Sequence, residues 1–490
     1  MSPAIFSRGC LRSGIPVAGI ATCCLHALGR GYVQTKNYYF LFLMTFLLSG
    51  VTISSAVADS NRNAPLTLEK ALSFAIENDA WLSGSRYVQQ ATEAMSESAY
   101  QLPDPKFSVA LANLPTDTLD FDQEAMTQLV FGVSQKYPRG DTRRLKRQQL
   151  QQQSERQPFM RQERKAKLKL TITQLWLDAY LARQSVSLIE QDLALFDQLV
   201  DISLASYSTV MGRTRQQDLI KAQLEKTRIE DRLTKLRLMQ EMKEQKLLEW
   251  LTPSLTDYSV QDNNFSVYAP ELPQLNSKYA AASKGDSFSK SELANHLVRH
   301  PSVRKLDKSI DAAGTSVKLA KQKYKPEWGV SASYGYRGDD LSGRDRADLF
   351  SAGVTVSMPL FSSVKQDKEV EAAIASQEKL KTDRSLMLKK MLAGFHSART
   401  QLERLDQRQQ LYQNKLLPQA GQQAQAALNA YESDTGSFTE VVRTRIAELN
   451  ARIDYLEIKV KQQKQIAQLN YFLTSSEFEQ SFASGTGVAQ

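Results

Sequence analysis

Cysteine is absent from the chain after position 24. The three cysteines of the 490 residues are Cys10, Cys23 and Cys24. A disulfide framework and a thiolate nucleophile are therefore both excluded for the remainder of the sequence.

Long apolar segments and catalytic motifs are also missing. Beyond position 58 no stretch has the 18 or more apolar residues of a membrane-spanning helix, which excludes an inner-membrane pump. There is no glycine-rich phosphate loop, no HExxH and no GxSxG. The spacing of a serine acylase occurs at Ser287–Lys290 and Ser302–Lys305, but its companion motifs are lacking. We expect no enzyme activity, no cofactor and no bound metal.

The positive charge of the chain is spread rather than concentrated. The formal net charge is +9, and the four basic residues of the first 58 positions leave +5 for the rest. The densest basic run, residues 139–147, is typical of a solvated helix start. Because nucleic-acid binding needs a concentrated basic face, we expect no nucleic-acid partner.

The first 58 residues have the pattern of a signal peptide. An apolar run at residues 38–50 follows Arg30 and Lys36, and Ala56-Val57-Ala58 provides small residues at the positions that signal peptidase requires. Cleavage before Asp59 would leave 432 residues. The sequence therefore predicts an exported protein.

The remaining chain contains an internal duplication with a period near 222. FGVSQKYP at residues 131–138 matches AGVTVSMP at 352–359, and Tyr207 and Gly212 match Tyr431 and Gly436. Such self-similarity predicts two copies of one design. The predicted boundaries are residues 59–252 for the first repeat, 253–289 for a linker, 290–475 for the second repeat and 476–490 for a flexible tail.

Each repeat contains two amphipathic strands. Apolar residues alternate with small polar ones from Trp328 to Tyr336 and again from Phe350 to Met358, the period of a strand with two unlike faces. The first repeat shows weaker alternation around Val109 and Val133. The predicted strands lie at about 106–113, 125–137, 327–336 and 348–359.

Each repeat also contains a long helical hairpin, predicted at about 140–251 and 364–473. Apolar residues there recur every three and four positions, as in the seam of a coiled coil. The longest such seam is Leu168, Ile172, Leu175, Ala179, Ala182, Val186, Ile189, Leu193, Phe196 and Val200. Pro158 and Pro418 are expected to kink or interrupt the two long helices, because proline cannot donate the helical hydrogen bond.

Four strands cannot close a membrane barrel, since open sheet edges are not tolerated in lipid. A homotrimer would supply twelve. The predicted fold class is an α+β membrane protein with a two-fold internal repeat. It has four transmembrane strands per chain, giving a 12-stranded barrel in the trimer, on a long α-helical coiled-coil barrel.

Several segments together resemble the TolC-like outer-membrane efflux family. They are VSMPLF at 356–361, QKYPRGDTRR at 135–144 and the two turns SYSTVMG at 206–212 and AYESDTG at 430–436. The resemblance implies a homotrimeric channel in the outer membrane of a Gram-negative bacterium, in contact with its lipid. A long periplasmic helical domain would dock to a periplasmic adaptor and an inner-membrane pump.

The cargo is a further expectation. NLP at 113–115 and MTQLVFGVSQKYP at 126–138 resemble the heavy-metal CzcC and CusC branch, which implies metal cations moved by a resistance-nodulation-division (RND) pump. A duct for drugs, bile salts or type I protein secretion stays open. A periplasmic adaptor is a remoter alternative, because an adaptor would carry one hairpin rather than two.

The resemblance also implies functional residues at the hairpin tips. The expected adaptor contacts are Met211, Gly212, Arg213, Gly436, Ser437 and Phe438, although glycine there also suits a helix C-cap. Asp218 and Glu440 are candidate pore-gate residues, with a solvated helix face as the alternative reading. His296 and His300 have a metal-binding spacing, but Pro301 indicates a helix break instead.

Overall fold

The computed structural model describes residues 66–208, 216–251, 271–278, 290–433 and 435–474. The predicted signal peptide, most of the linker and the tail lie outside these ranges. The elements in chain order are α1 (Leu68–Glu77), α2 (Ala80–Tyr100), β1 (Lys106–Ala112), β2 (Gln128–Tyr137), α3 (Thr142–Ser154), α4 (Arg156–Ser208), α5 (Gln216–Leu251), α6 (Lys290–Arg299), α7 (Pro301–Gln322), β3 (Glu327–Tyr336), β4 (Leu349–Ser357), α8 (Val364–Leu411), a π-helical turn (Tyr412–Leu416), α9 (Leu417–Glu432) and α10 (Phe438–Phe472).

The same order of elements occurs twice. Two helices, two strands, a long interrupted helix and a returning helix run from α1 to α5 and again from α6 to α10. With 53 residues, α4 is about 80 Å long at 1.5 Å per residue. A single chain thus extends far beyond the dimensions of an ordinary compact domain.

Both long helices are interrupted beside their prolines. The break between α3 and α4 falls at Glu155, so Pro158 lies in the first turn of α4, where a missing N–H is harmless. In the second repeat the helix does not stop. It passes through the π-helical turn just before Pro418. Proline has no N–H, so the carbonyl four residues before it lacks its helical hydrogen bond, and the π-helical turn adjusts the backbone at that point.

The four strands form one antiparallel sheet in the order β1-β2-β3-β4. Each strand continues into a helix, and these helices pack in the same sequence: α2 on α3, α3 on α7, and α7 on α8. The sheet therefore passes directly into a helical wall whose members follow the order of the strands.

The core lies along the helices. One apolar cluster joins α1, α4, α5 and α10 around Trp176, a fully buried side chain whose Nε1 donates to the carbonyl of Leu66 at 3.0 Å. A second cluster joins α4, α5 and α10 through Ile189 and Leu449, and a third joins α6, α8 and α10 around Phe395. The buried positions include Leu168, Ile172 and Ala179 of the predicted seam.

Among the residues described, no helix has the length and apolar character needed to cross a membrane.

Candidate functional site

One face of the sheet is apolar and exposed. The register aligns Val109 with Phe131, Phe131 with Tyr334, and Tyr334 with Phe350, so one apolar row crosses all four strands. Phe350 is 73% exposed, although packed sheets normally bury such a face. An exposed apolar face of this extent marks a surface that meets lipid or another apolar partner.

The opposite face is lined by small and polar residues. Ser108 stands opposite Gly132, which stands opposite Ser333, and Ser333 faces Ser351. A Cβ atom at Gly132 would come within 2.6 Å of the Ser108 Oγ, so a larger residue there would push its neighbour aside. This face is hydrophilic and has little side-chain bulk.

Aromatic side chains lie at both ends of the apolar face. Tyr137 pairs with Trp328 at the end near the helices, and Tyr334 and Tyr336 lie at the other end of β3. The eight steps from Trp328 to Tyr336 cover about 26 Å at 3.3 Å per residue. That length matches the roughly 25 Å apolar band between two aromatic girdles of an outer-membrane barrel.

The sheet is open at both sides. Within the described part of the chain, β1 pairs only with β2, and β4 only with β3. Unpaired strand edges are costly in lipid, because no water satisfies their backbone groups. In one copy the described sheet therefore has two unpaired edges.

The junction between sheet and helices ties the two repeats together. The Arg139 guanidinium lies 3.7 Å from the Glu327 carboxylate and donates a hydrogen bond to the carbonyl of Lys323. Gly140 next to it has a φ of +43°, a conformation that favours glycine. The segment QKYPRGDTRR thus has a structural role, because it turns the chain from β2 into α3 and anchors this turn to β3.

The second hairpin tip is closed by backbone hydrogen bonds. The N–H groups of Thr435 and Gly436 both donate to the carbonyl of Ala430 at 2.9 Å, and the Ser437 hydroxyl caps α10 by accepting from the N–H of Glu440 at 3.3 Å. A Cβ atom at Gly436 would lie 2.9 Å from that of Ala430, so the turn requires glycine.

Phe438 has a different place from the one expected of an adaptor contact. Its side chain is 3% exposed and packs edge-on against Tyr431 at 5.6 Å between ring centroids. It therefore holds the turn against the helices and offers no side-chain surface to a partner. Gly436 and Ser437 are exposed, whereas Met211, Gly212 and Arg213 lie outside the described residues.

Comparison with known proteins agrees with this architecture. The family model "outer membrane efflux protein" matches residues 293–473, which is the second repeat. This match to the second repeat supports a TolC-like outer membrane efflux protein. That family consists of outer-membrane channels with periplasmic helical domains, which are ducts rather than enzymes. A search of curated proteins gave no significant match.

Solved structures of outer membrane channels share the fold at low identity. CusC is 14% identical, with a TM-score of 0.64 over 84% of this chain and 92% of CusC. VceC from Vibrio cholerae is 13% identical, with a TM-score of 0.66 over 83% of this chain and 96% of VceC. CmeC from Campylobacter jejuni is 12% identical, with a TM-score of 0.67 over 84% of this chain and 88% of CmeC. These values do not single out the CusC branch.

The structure describes the side chain of only one of the two candidate gate residues. The Glu440 side chain is 44% exposed and lies 3.4 Å from the Arg443 guanidinium, one turn further along α10. Asp218 lies in α5, and its side chain is outside the described part. Among the described residues, the structure thus pairs Glu440 near the tip with a cation, Arg443.

An ion-pair network near the tip escaped the sequence analysis. Glu448 of α10 lies 2.9 Å from Arg445 and also pairs with Arg452, which in turn lies 3.6 Å from Asp192 of α4. Burial raises the pKa of Asp192 above its ordinary value. The spacing within α10 was visible in the sequence, but only the packing of two helices brings Asp192 to it.

His300 is a structural residue rather than a metal ligand. It is fully buried; its Nδ1 accepts the N–H of Ser302 at 3.1 Å, and its Nε2 donates to the carbonyl of Tyr471 at 3.0 Å. Both ring nitrogens are therefore occupied, and burial lowers the pKa of His300 to about 4. Among the residues described, no group of three or more possible ligands could hold a metal ion.

Proposed function

We propose that three copies of this chain assemble into an outer-membrane channel that conducts substrates received from a periplasmic adaptor and an inner-membrane RND pump. The main support for this proposal is the sheet, which has one exposed apolar face, one face of small and polar residues, and two open edges. Three such sheets would form twelve antiparallel strands, because β4 of one copy can pair with β1 of the next without a change of direction.

Exposed apolar side chains on the two outermost helices of the wall support the same assembly. Val88 and Met95 of α2 are 50% and 61% exposed, and Ile374 and Leu386 of α8 are 44% and 57% exposed. At 1.5 Å per residue, Val88 lies about 18 Å from the end of α2 that precedes β1. Ile374 lies about 15 Å from the end of α8 that follows β4. Val88 and Ile374 therefore lie at similar depths, where neighbouring copies would bring α8 against α2.

Adaptor docking is assigned to the hairpin tips. We assign the contact in the second tip to the exposed Gly436 and Ser437, with Phe438 fixing the turn from beneath. The matching residues of the first tip are Met211, Gly212 and Arg213. Asp218 and Glu440 remain proposed gate residues, since a three-fold axis would bring like charges near one another.

Charge on the lipid-facing side of a strand tests the channel directly. Val354→Arg places a cation in the middle of the apolar face, at a cost of about 2–4 kcal/mol near the bilayer midplane. Thr355→Arg is the matched control, because Thr355 faces the polar side, where Lys136 already stands in the same row across Gly329. We expect only Val354→Arg to lose trimers from the outer-membrane fraction. Equal yields, or a monomeric mass of the native protein in mild detergent, would contradict the proposal.

The cargo is proposed to be heavy-metal cations, from the resemblance at residues 113–115 and 126–138. A deletion strain should become sensitive to one group of metals, and plasmid-borne protein should restore resistance. Copper, silver, zinc, cobalt, cadmium, bile salts and dyes are compared side by side. Sensitivity to bile salts and dyes without metals would retain the duct and overturn the metal assignment.

A further inference from the structure

Two lysines lie close together on the polar face of the sheet. Lys106 of β1 is paired with Ser134 of β2, and Lys136 follows Ser134 two residues later on the same strand. Because successive residues of a strand alternate between its faces, Lys106, Ser134 and Lys136 share one face. Diagonal neighbours such as the two lysines are roughly 7–8 Å apart. They therefore form one basic patch at the end of the sheet that continues into the helices.

The positive charge of this patch is not fully compensated. Both lysines are exposed, and among the described residues no carboxylate forms an ion pair with either of them. Glu327 is the one acid within the four strands, and it lies 3.7 Å from the Arg139 guanidinium. Asp104 precedes β1 at the same end of the sheet. Two lysines and Arg139 against Glu327 and Asp104 leave one net positive charge in each chain.

A trimeric barrel would bring these charges near every ion that passes. Twelve strands about 4.8 Å apart and tilted by about 40° enclose a passage with a radius of about 12 Å, before side chains are added. The Debye length is about 10 Å at 0.1 M salt, so the potential of the wall reaches most of the cross-section. A passage lined by charges of one sign concentrates ions of the opposite sign.

We propose that Lys106 and Lys136 make the helix-side end of the barrel attract anions and repel cations. The inference rests on the proposed trimeric channel and adds the charge class of what that channel passes. Anionic amphiphiles such as bile salts then pass this zone readily, and a metal ion does so best in an anionic complex. The opposite end of the sheet differs, because loop 113–127 carries four acids and no base. The preference therefore belongs to the helix-side end alone.

A cysteine placed between the two lysines reports the local potential. Ser134→Cys is introduced into the full-length chain, and its rates of reaction with an anionic and a cationic methanethiosulfonate of similar size are measured in the purified trimer in neutral detergent. The chain without Ser134→Cys gives the background. The ratio of the two rates is divided by the same ratio for a small free thiol. The intrinsic reactivity of the introduced thiol affects both rates equally, so it cancels.

Replacement of the lysines supplies the matched control. We expect Lys106→Gln with Lys136→Gln to lower the anion-to-cation rate ratio about tenfold, because attraction of the anion and repulsion of the cation are both lost. Either replacement alone should give an intermediate ratio, and arginine at both positions should retain the ratio. At Val130→Cys, about 13 Å further along the same face of β2, the same replacements should change the ratio by less than about twofold.

The opposite results separate this inference from the channel on which it rests. An equal ratio at Ser134→Cys with and without the lysines would overturn the anion preference and leave the channel in place. A loss of the ratio in the arginine variant would overturn it too, because charge would then not be the cause. If neither reagent reacted at Ser134→Cys, this face would not be in contact with water, and the proposed channel itself would be contradicted.

Discussion

The buried neutral His300 makes the stability of the protein depend on pH in a defined window. Its folded-state pKa is about 4, against an ordinary value of 6.5. Burial is the cause, since the ring is fully buried and donates to the Tyr471 carbonyl in its neutral form. The nearby charges are Glu163, Lys305 and Lys167, which act in opposite directions.

The direction in which stability changes with pH follows from the lowered pKa of the His300 imidazole. The unfolded chain binds a proton at His300 below pH 6.5, whereas the folded protein does so only near pH 4. The contribution of neutral His300 to the unfolding free energy is therefore fully present above pH 6.5 and is lost as the pH falls toward 4. With 1.36 kcal/mol per pKa unit, the whole difference is about 3 kcal/mol, of which about 2 kcal/mol is lost between pH 7.5 and pH 5.

The comparison with His300→Asn isolates this contribution. Asparagine keeps an acceptor for the N–H of Ser302 at the start of α7 but does not titrate. Denaturant midpoints are measured by tryptophan fluorescence in detergent at pH 7.5, 6.5, 5.5 and 4.5 for both proteins. Other titratable groups are the same in both proteins, so their contributions cancel in the difference between the two pH profiles. The variant should be less stable at pH 7.5 and should lose less stability on acidification. Parallel pH profiles would refute the assignment of a buried neutral histidine.

Three further predictions concern an ion pair, a buried indole and the second hairpin tip. Glu163→Gln removes the buried carboxylate that pairs with the half-buried Lys305 and should cost about 1.5–3 kcal/mol of unfolding free energy; a change below about 1 kcal/mol would contradict a stabilising pair. Trp176→Phe removes the hydrogen bond of the buried indole and should lower the unfolding free energy by about 1–2 kcal/mol, read from the denaturant midpoint. Gly436→Val should abolish efflux while trimers still assemble, because a Cβ there meets the opposing backbone, whereas Gly421→Ala has only one contact, at 3.8 Å, and should be silent. Retained efflux in Gly436→Val would remove the tip assignment.

Much of the architecture could be predicted from local patterns. Alternation of apolar and polar residues has the period of a strand, and β3 spans the residues from Glu327 to Tyr336 where that alternation occurs. Recurrence every three and four residues has the period of a helix, and Leu168, Ile172 and Ile189 are buried as that period requires. Such signals are local, so they survive without knowledge of the fold.

The site residues were harder to predict, because exposure depends on packing between elements. The family resemblance placed Phe438 at an adaptor surface, but in the structure its ring packs against Tyr431. His300 has a metal-ligand spacing from His296, yet α10 brings the Tyr471 carbonyl to it from 171 residues away. Asp192 joins Arg452 for the same reason.

The sequence by itself determined the periods, the duplication and therefore the two matching sets of strands and helices. Only the tertiary structure decided the register that gathers the apolar side chains of β1 to β4 on one face, the order in which the helices continue the strands, and the ion pair between Asp192 and Arg452. The physical reason is range. Period and turn chemistry are set by neighbouring residues, whereas register, burial and ion pairing depend on contacts between residues far apart in the chain.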